Sequence, residues 1–156
     1  MQPVIEGLTI FVDADACPVK EEVLRVAERH RLPIHMVSNG GIRPSPHPLV
    51  NTVIVAAGAD EADNWIAEHI KANDIAVTAD IPLASRCLKK QARVLSPSGK
   101  IFSADNIGMA LGMRDLNQHL REVTGGQTYH AGFTRQDRSR FLGVLENEIQ
   151  AAKRAR

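Results

Sequence analysis

The chain has 156 residues, of which 44% are hydrophobic and 24% charged, and its formal net charge is +1. A chain of this length can bury roughly two-thirds of its unfolded surface without disulfides or a structural metal. We therefore expect a single domain over residues 1–156. The near-neutral charge excludes a strong overall attraction to polyanions, so any binding of nucleic acid must depend on local patches.

The apolar runs are short, and none approaches the roughly 18 residues of a membrane span. Glu6 interrupts the N-terminal segment before the apolar core of a signal peptide could form. We expect a cytoplasmic protein with no membrane partner, and the oligomeric state stays open. Cys17 and Cys87 are expected to be buried or reactive thiols rather than a disulfide.

Short β-rich runs alternate with helical patterns along the chain. This alternation predicts an α/β fold, with an open, mostly parallel sheet and helices on both faces. The predicted strands are an apolar run through residues 10–12, then residues 34–37, 50–57, 75–79 and 93–95, and an edge segment at residues 101–102.

Apolar residues at three- and four-residue steps predict the helices between these strands. The first is expected to begin at Pro18, the second after residues 58–60, and the third to cover residues 83–91. The fourth is expected to be capped by Asp105 and to stop before Thr124. The last begins after Thr134, where Thr134 and Asp137 have the spacing of a capping box.

Carboxylates follow three of the predicted strands. Asp13 and Asp15 follow the first strand, Asp60 and Asp63 follow the third, and Asp80 follows the fourth. The carboxyl ends of parallel strands share one edge of a sheet, so we expect all five side chains near one cleft. Oxygen ligands of this kind suit Mg²⁺ or Mn²⁺. The sequence therefore predicts a divalent-metal site formed by these five residues.

The first two of these aspartates are also expected to face the same space. Asp13 and Asp15 are alternate residues, and alternate side chains of an extended segment point the same way. Each aspartate also has a structural interpretation. Asp15, Asp60 and Asp80 stand where helix N-caps are expected, and Asp63 falls in a first turn, where the helix dipole favours an acidic side chain.

Three segments resemble a known family: residues 12–19 (VDADACPV), 58–63 (GADEAD) and 78–84 (TADIPLA). They are similar to the signature segments of the bacterial YaiI/YqxD family, of the DUF188 type, and the resemblance covers nearly the whole chain. That family is grouped with PIN-like domains, whose better-known members are metal-dependent ribonucleases. The resemblance thus implies a PIN-like fold, with Asp13 as the first-strand ligand, Asp63 as the helix-borne acid and Asp80 as the third acid.

The chain departs from the PIN pattern at one point. Many PIN nucleases carry another acidic or hydroxyl residue soon after the third acid, whereas residues 81–83 here are Ile-Pro-Leu. Asp105 and Ser85 are the candidates for that missing group.

The resulting hypothesis is metal-dependent cleavage of RNA, with Asp13, Asp15, Asp63 and Asp80 as catalytic residues and Mg²⁺ or Mn²⁺ as the cofactor. The chain also offers candidate phosphate contacts. They are Lys20, the turn at residues 38–41 that includes Asn39, and the basic final segment with Arg138 and Arg140. A solvated helix with a basic end is an equal interpretation of that final segment.

Three other functions stay open. An apolar strand ending in Asp-x-Asp also resembles the signature of haloacid-dehalogenase phosphatases, although Ala16 and the lack of a later Asp-Asp pair argue against it. A thiol enzyme would use Cys17, but no arginine stands six residues further on. The third alternative is a non-catalytic module that binds RNA or a nucleotide.

Overall fold

The computed structural model describes residues 8–40, 42–58, 60–124 and 133–155. Within these residues, six strands form one sheet in the order β3-β2-β1-β4-β5-β6. The strands are β1 (Ile10–Asp13), β2 (Ile34–Ser38), β3 (Val50–Ile54), β4 (Ile75–Val77), β5 (Arg93–Leu95) and β6 (Ile101–Phe102). Strands β1 to β5 are parallel, and β6 pairs antiparallel with β5.

Five α-helices accompany the sheet in the described part of the chain: α1 (Lys20–His30), α2 (Glu61–His69), α3 (Ile81–Lys89), α4 (Ala104–Thr124) and α5 (Arg135–Arg154). The predicted α/β class, with a mostly parallel open sheet, is confirmed. None of the helices in these residues is long and apolar enough to cross a membrane.

The strand order determines where a ligand site is expected. From β1 the chain continues to β2 and β3 on one side, and then β4 and β5 lie on the other side of β1. In open α/β sheets, ligands bind outside the carboxyl ends of the strands at the point where the order reverses. That point is the crevice between β1 and β4.

Side chains that alternate along the strands separate the core into two layers. Ile10 and Val12 of β1 face α1 and α5, where Val23, Phe141 and other apolar residues cover them. Phe11, between them in sequence, faces the opposite layer, which α2 and α3 cover. Cys17 and Cys87 are buried in different layers as free thiols, as expected for a chain without a disulfide.

Several element boundaries differ from the prediction. Helix α1 begins at Lys20 rather than Pro18, and the side chain of its N-cap, Val19, cannot accept a hydrogen bond from the helix N–H groups. Strands β3 and β4 end at Ile54 and Val77, earlier than expected. The predicted capping box at the start of α5 is confirmed, because the Thr134 and Asp137 side chains bond each other's backbone N–H groups.

The start of α4 also corrects a prediction. Asp105 lies inside the first turn and is not the cap. Instead, the Asn106 amide oxygen accepts the Ser103 N–H at 2.9 Å, and the Ser103 hydroxyl accepts the Asn106 N–H at 3.3 Å. This reciprocal pair satisfies helix-terminal donors in the way a capping box does. The helix then runs to Thr124, slightly further than predicted.

Candidate functional site

Polar side chains meet at the crevice between β1 and β4. Asp13 is the last residue of β1, and Thr78 directly follows β4. The Thr78 hydroxyl donates to Asp13 Oδ2 at 3.0 Å and accepts the Asp80 N–H at 2.9 Å. Thr78 is buried, and its single hydroxyl links the Asp13 carboxylate to the Asp80 backbone.

Asp80 is the N-cap of α3. Its Oδ1 accepts the Leu83 N–H at 2.9 Å, which confirms the capping interpretation of this residue. Asp80 Oδ2 has no hydrogen-bond partner among the described residues. One oxygen therefore holds the start of the helix, while the other is free to take a ligand.

Asp63 lies in the first turn of α2 and makes no hydrogen bond with the described residues. Burial, and then the charges of Asp80, Asp13 and Asp60 in that order, together raise its pKa to about 6, and the Arg86 charge opposes them. Burial also raises the pKa of Asp13, with smaller increases from Asp80 and Asp15, although the Thr78 hydrogen bond opposes them. We call Asp13, Asp63 and Asp80 the acidic cluster, because their charges repel one another across three structural elements.

Asp15 faces a different strand from the acidic cluster. The Ser38 hydroxyl donates to Asp15 Oδ1 at 2.6 Å, and the Asn39 N–H donates to Oδ2 at 3.1 Å, both at the end of β2. The expectation that Asp13 and Asp15 point the same way is wrong. The strand ends at Asp13, and a 3₁₀ turn at Ala14–Ala16 rotates Asp15 toward β2, so the alternation of an extended segment no longer applies.

The predicted phosphate-binding turn uses the backbone donors of Asn39 and Gly40 internally, and Gly41 lies outside the described residues. Asn39 N–H bonds Asp15, and Gly40 N–H bonds the Ser38 hydroxyl at 3.1 Å. The positive φ of Gly40, 108°, allows the chain to turn back on itself here. The Asn39 side chain is exposed, and Lys20, the first residue of α1, remains close to the same edge.

The expected metal cluster of five carboxylates is not formed. In the part of the chain that the structure describes, no group of three or more His, Cys, Asp or Glu side chains is placed to hold a metal ion. Asp60 is exposed at the N-cap of α2, where its side chain makes no capping bond. Mg²⁺ usually binds one or two carboxylates together with water and substrate phosphate. The Asp13 and Asp80 pair fits that smaller donor set.

The two candidates for a fourth acid are placed differently from the acidic cluster. Asp105 follows β6, which runs antiparallel and carries the chain away from the edge where β1 and β4 end. Ser85 lies in the second turn of α3 and is half-buried. Neither side chain makes a hydrogen bond to the acidic cluster among the described residues.

The two C-terminal arginines contact other parts of their own chain. Arg138 donates to the Pro18 carbonyl oxygen at 2.9 Å and pairs with Glu22 at 3.3 Å. Arg140 pairs with Asp137 at 3.2 Å. Because such exposed pairs contribute only about 0 to 1 kcal/mol, they reduce but do not remove the capacity of these side chains to bind phosphate.

Sequence reasoning assigned no role to Thr78 and did not identify the contact between Ser38 and Asp15. Both hydroxyl residues stand at the end of an apolar strand and are buried. A hydroxyl residue that ends an apolar strand, one or two residues before a charged or turn residue, is the sequence pattern that would have indicated Ser38 and Thr78. Their role depends on the neighbouring strand, which the sequence alone does not identify.

We expect Asp63→Asn to stabilise the protein at neutral pH in EDTA. The folded-state pKa of about 6 exceeds the ordinary value of 3.8, so the folded chain loses stability as the pH rises through this range. The full shift corresponds to about 3 kcal/mol, which solvent screening at this half-exposed site reduces to about 1 kcal/mol.

Urea unfolding at pH 7.5 and pH 4 measures this effect. The difference between Asp63→Asn and the wild type should be greatest at pH 7.5 and should nearly vanish at pH 4, where the wild-type carboxyl is protonated as well. Equal stability of the two proteins at pH 7.5 would contradict an unfavourable charge at Asp63.

Residues 11–151 match the family described as "Uncharacterized BCR, YaiI/YqxD family", DUF188. The chain is similar to UPF0178 proteins of Mesorhizobium japonicum (56% identity over 144 residues, 92% of this chain and 93% of the relative) and Agrobacterium fabrum (54% over 145 residues, 93% and 95%). It is also similar to a UPF0178 protein of Rhodospirillum rubrum (56% over 154 residues, 96% and 100%). No solved structure matches the chain. The names of these relatives state no activity or ligand.

Proposed function

This chain belongs to the YaiI/YqxD family, and we propose that it is a divalent-metal-dependent nuclease that hydrolyses phosphodiester bonds in RNA. The observation that carries the proposal is the acidic cluster at the crevice between β1 and β4. Asp13 and Asp80 are linked through the Thr78 hydroxyl, and Asp63 repels both of them. Ionised carboxylates that lie this close together destabilise the folded protein unless a cation or a proton neutralises them.

The residues of the acidic cluster have distinct roles in this proposal. Asp13 and the free Oδ2 of Asp80 would hold Mg²⁺ or Mn²⁺, with phosphate oxygens and water completing the shell. A bound ion supplies Lewis-acid polarisation of the phosphate and lowers the pKa of an attacking water. Thr78 keeps Asp13 oriented. Asp63, which lacks a hydrogen-bond partner among the described residues, would accept a proton from that water.

The haloacid-dehalogenase alternative has less support. That chemistry needs the second aspartate of Asp-x-Asp as a proton donor next to the first. Asp15 instead accepts two hydrogen bonds, from the Ser38 hydroxyl and the Asn39 N–H, and these occupy both of its carboxylate oxygens. Asp15 is also turned toward β2, whereas Asp13 is turned toward β4.

The test is an RNA-cleavage assay with purified full-length protein. Single-stranded and structured RNAs are incubated with Mg²⁺, Mn²⁺ or EDTA, and a generic phosphomonoester is assayed in parallel. We expect cleavage only with metal. The Asp80→Asn variant should lose activity, because the charge is removed while the Asn side-chain oxygen still accepts the Leu83 N–H and preserves the start of α3.

Asp105→Asn is the matched control, because it neutralises an exposed first-turn aspartate away from the crevice. It should retain wild-type cleavage. Turnover of the phosphomonoester without RNA cleavage would favour the phosphatase. Binding of RNA without turnover under any metal condition would favour the non-catalytic module.

A further inference from the structure

A cavity of about 520 Å³ lies on the α1 side of the sheet. Its walls are the start of α1, the middle of β2 and β3, and the segment at residues 42–46. Small-molecule sites typically occupy about 300 to 1,000 Å³ and are mainly apolar with a few polar groups. The size of this cavity therefore suits a ligand of roughly nucleotide size, and no step of the proposed hydrolysis uses it.

The lining combines an apolar floor with two cations. Leu24, Met36 and Val50 supply apolar surface, and Lys20 and Arg43 supply positive charge. Neither Lys20 nor Arg43 makes an ion pair or side-chain hydrogen bond with a residue that the structure describes. Glu21 also lines the cavity, so its charged residues carry a net charge of +1 beside the apolar floor, which still complements a ligand with a flat apolar group and a phosphate.

The cavity is adjacent to the candidate catalytic edge. Met36 and Ser38 are alternate residues of β2 and point to the same face of the sheet. In the sheet, Met36 of the cavity wall pairs with Val12, the residue before Asp13 at the end of β1. Lys20, which lines the cavity, begins the helix that follows the end of β1.

We propose that this cavity binds one nucleotide of the RNA substrate, with the base on the apolar floor and its phosphate held by Lys20 and Arg43. The proposal rests on the nuclease function above. The neighbouring phosphodiester would then cross the end of β1 to the acidic cluster. The recognised chemistry is a nucleoside phosphate, which occurs both as a residue of RNA and as a free mononucleotide.

Binding measured in the absence of metal distinguishes the cavity from the catalytic site, because the proposed hydrolysis requires a metal ion. Full-length protein in EDTA is titrated by calorimetry with adenosine monophosphate, with unphosphorylated adenosine and with a short single-stranded RNA. We expect the RNA and the mononucleotide to bind, and adenosine to bind more weakly because it lacks the phosphate. Arg43→Ala should weaken binding about tenfold or more, since a hydrogen bond to a charged group is lost.

Two further variants complete the experiment. Val50→Trp should fill the cavity and abolish binding, with circular dichroism as a check that it folds. Arg25→Ala removes an exposed arginine of the same helix that does not line the cavity, and it should also bind like the wild type.

The possible failures are distinguishable. Absence of binding by the wild type, or equal binding by Arg43→Ala and the wild type, overturns the cavity proposal even if RNA is cleaved. Binding of the mononucleotide without binding of RNA also overturns it, in favour of a free nucleotide as the ligand. If the RNA binds and Arg43→Ala weakens that binding, but RNA is never cleaved, the cavity proposal is supported and the nuclease proposal fails.

Discussion

Asp13→Asn is expected to reduce RNA cleavage by roughly 10²- to 10³-fold, the loss typical of removing a preorganised electrostatic group. Asp13 is the end of the central strand β1 and the member of the acidic cluster that Thr78 holds in place. The substitution removes its charge, while an Asn side-chain oxygen still accepts the Thr78 hydroxyl. We therefore expect the fold to persist and Mn²⁺ affinity to fall, which calorimetry measures directly.

The control for this prediction is again Asp105→Asn, which should leave both Mn²⁺ binding and cleavage unchanged. Circular dichroism and urea unfolding verify that Asp13→Asn remains folded. Equal Mn²⁺ binding by Asp13→Asn and the wild type would remove Asp13 from the metal site. Unchanged cleavage would overturn the assignment of the acidic cluster as the catalytic centre.

Phe141→Ala is expected to lower the free energy of unfolding by about 3 to 5 kcal/mol. The Phe141 side chain is fully buried, and it packs on the core layer beneath α1 and α5. Truncation of this side chain removes buried apolar surface and leaves a cavity in a close-packed layer. Total stabilities of domains are about 5 to 15 kcal/mol, so the variant will be marginal at room temperature. Urea unfolding measures the difference.

Phe133→Ala is the matched control for this effect. The Phe133 side chain is 36% exposed and contacts the Arg138 guanidinium 4.9 Å from its ring centre. Its removal should cost about 1 kcal/mol or less, the scale of an exposed cation–π contact. Similar losses for the two variants would contradict the assignment of α5 as a core helix.

The sequence by itself determined the layered α/β architecture. β1 is a continuous apolar run, as is typical of a parallel strand covered on both faces, and apolar residues recur at helical steps in α1 and α5. The capping box of Thr134 and Asp137 could also be predicted, because it joins residues three apart. The carboxylates at the ends of β1 and β4 were also evident from sequence, since each directly follows an apolar run.

Only the tertiary structure decided which of those carboxylates interact. The 3₁₀ turn after Asp13 turned Asp15 toward Ser38, and the pairing of β1 with β4 brought Thr78 to Asp13 across 65 residues of sequence. Strand order depends on long-range packing, so no local pattern encodes these contacts. The cavity beside Arg43 likewise exists only because α1, β2 and β3 converge there.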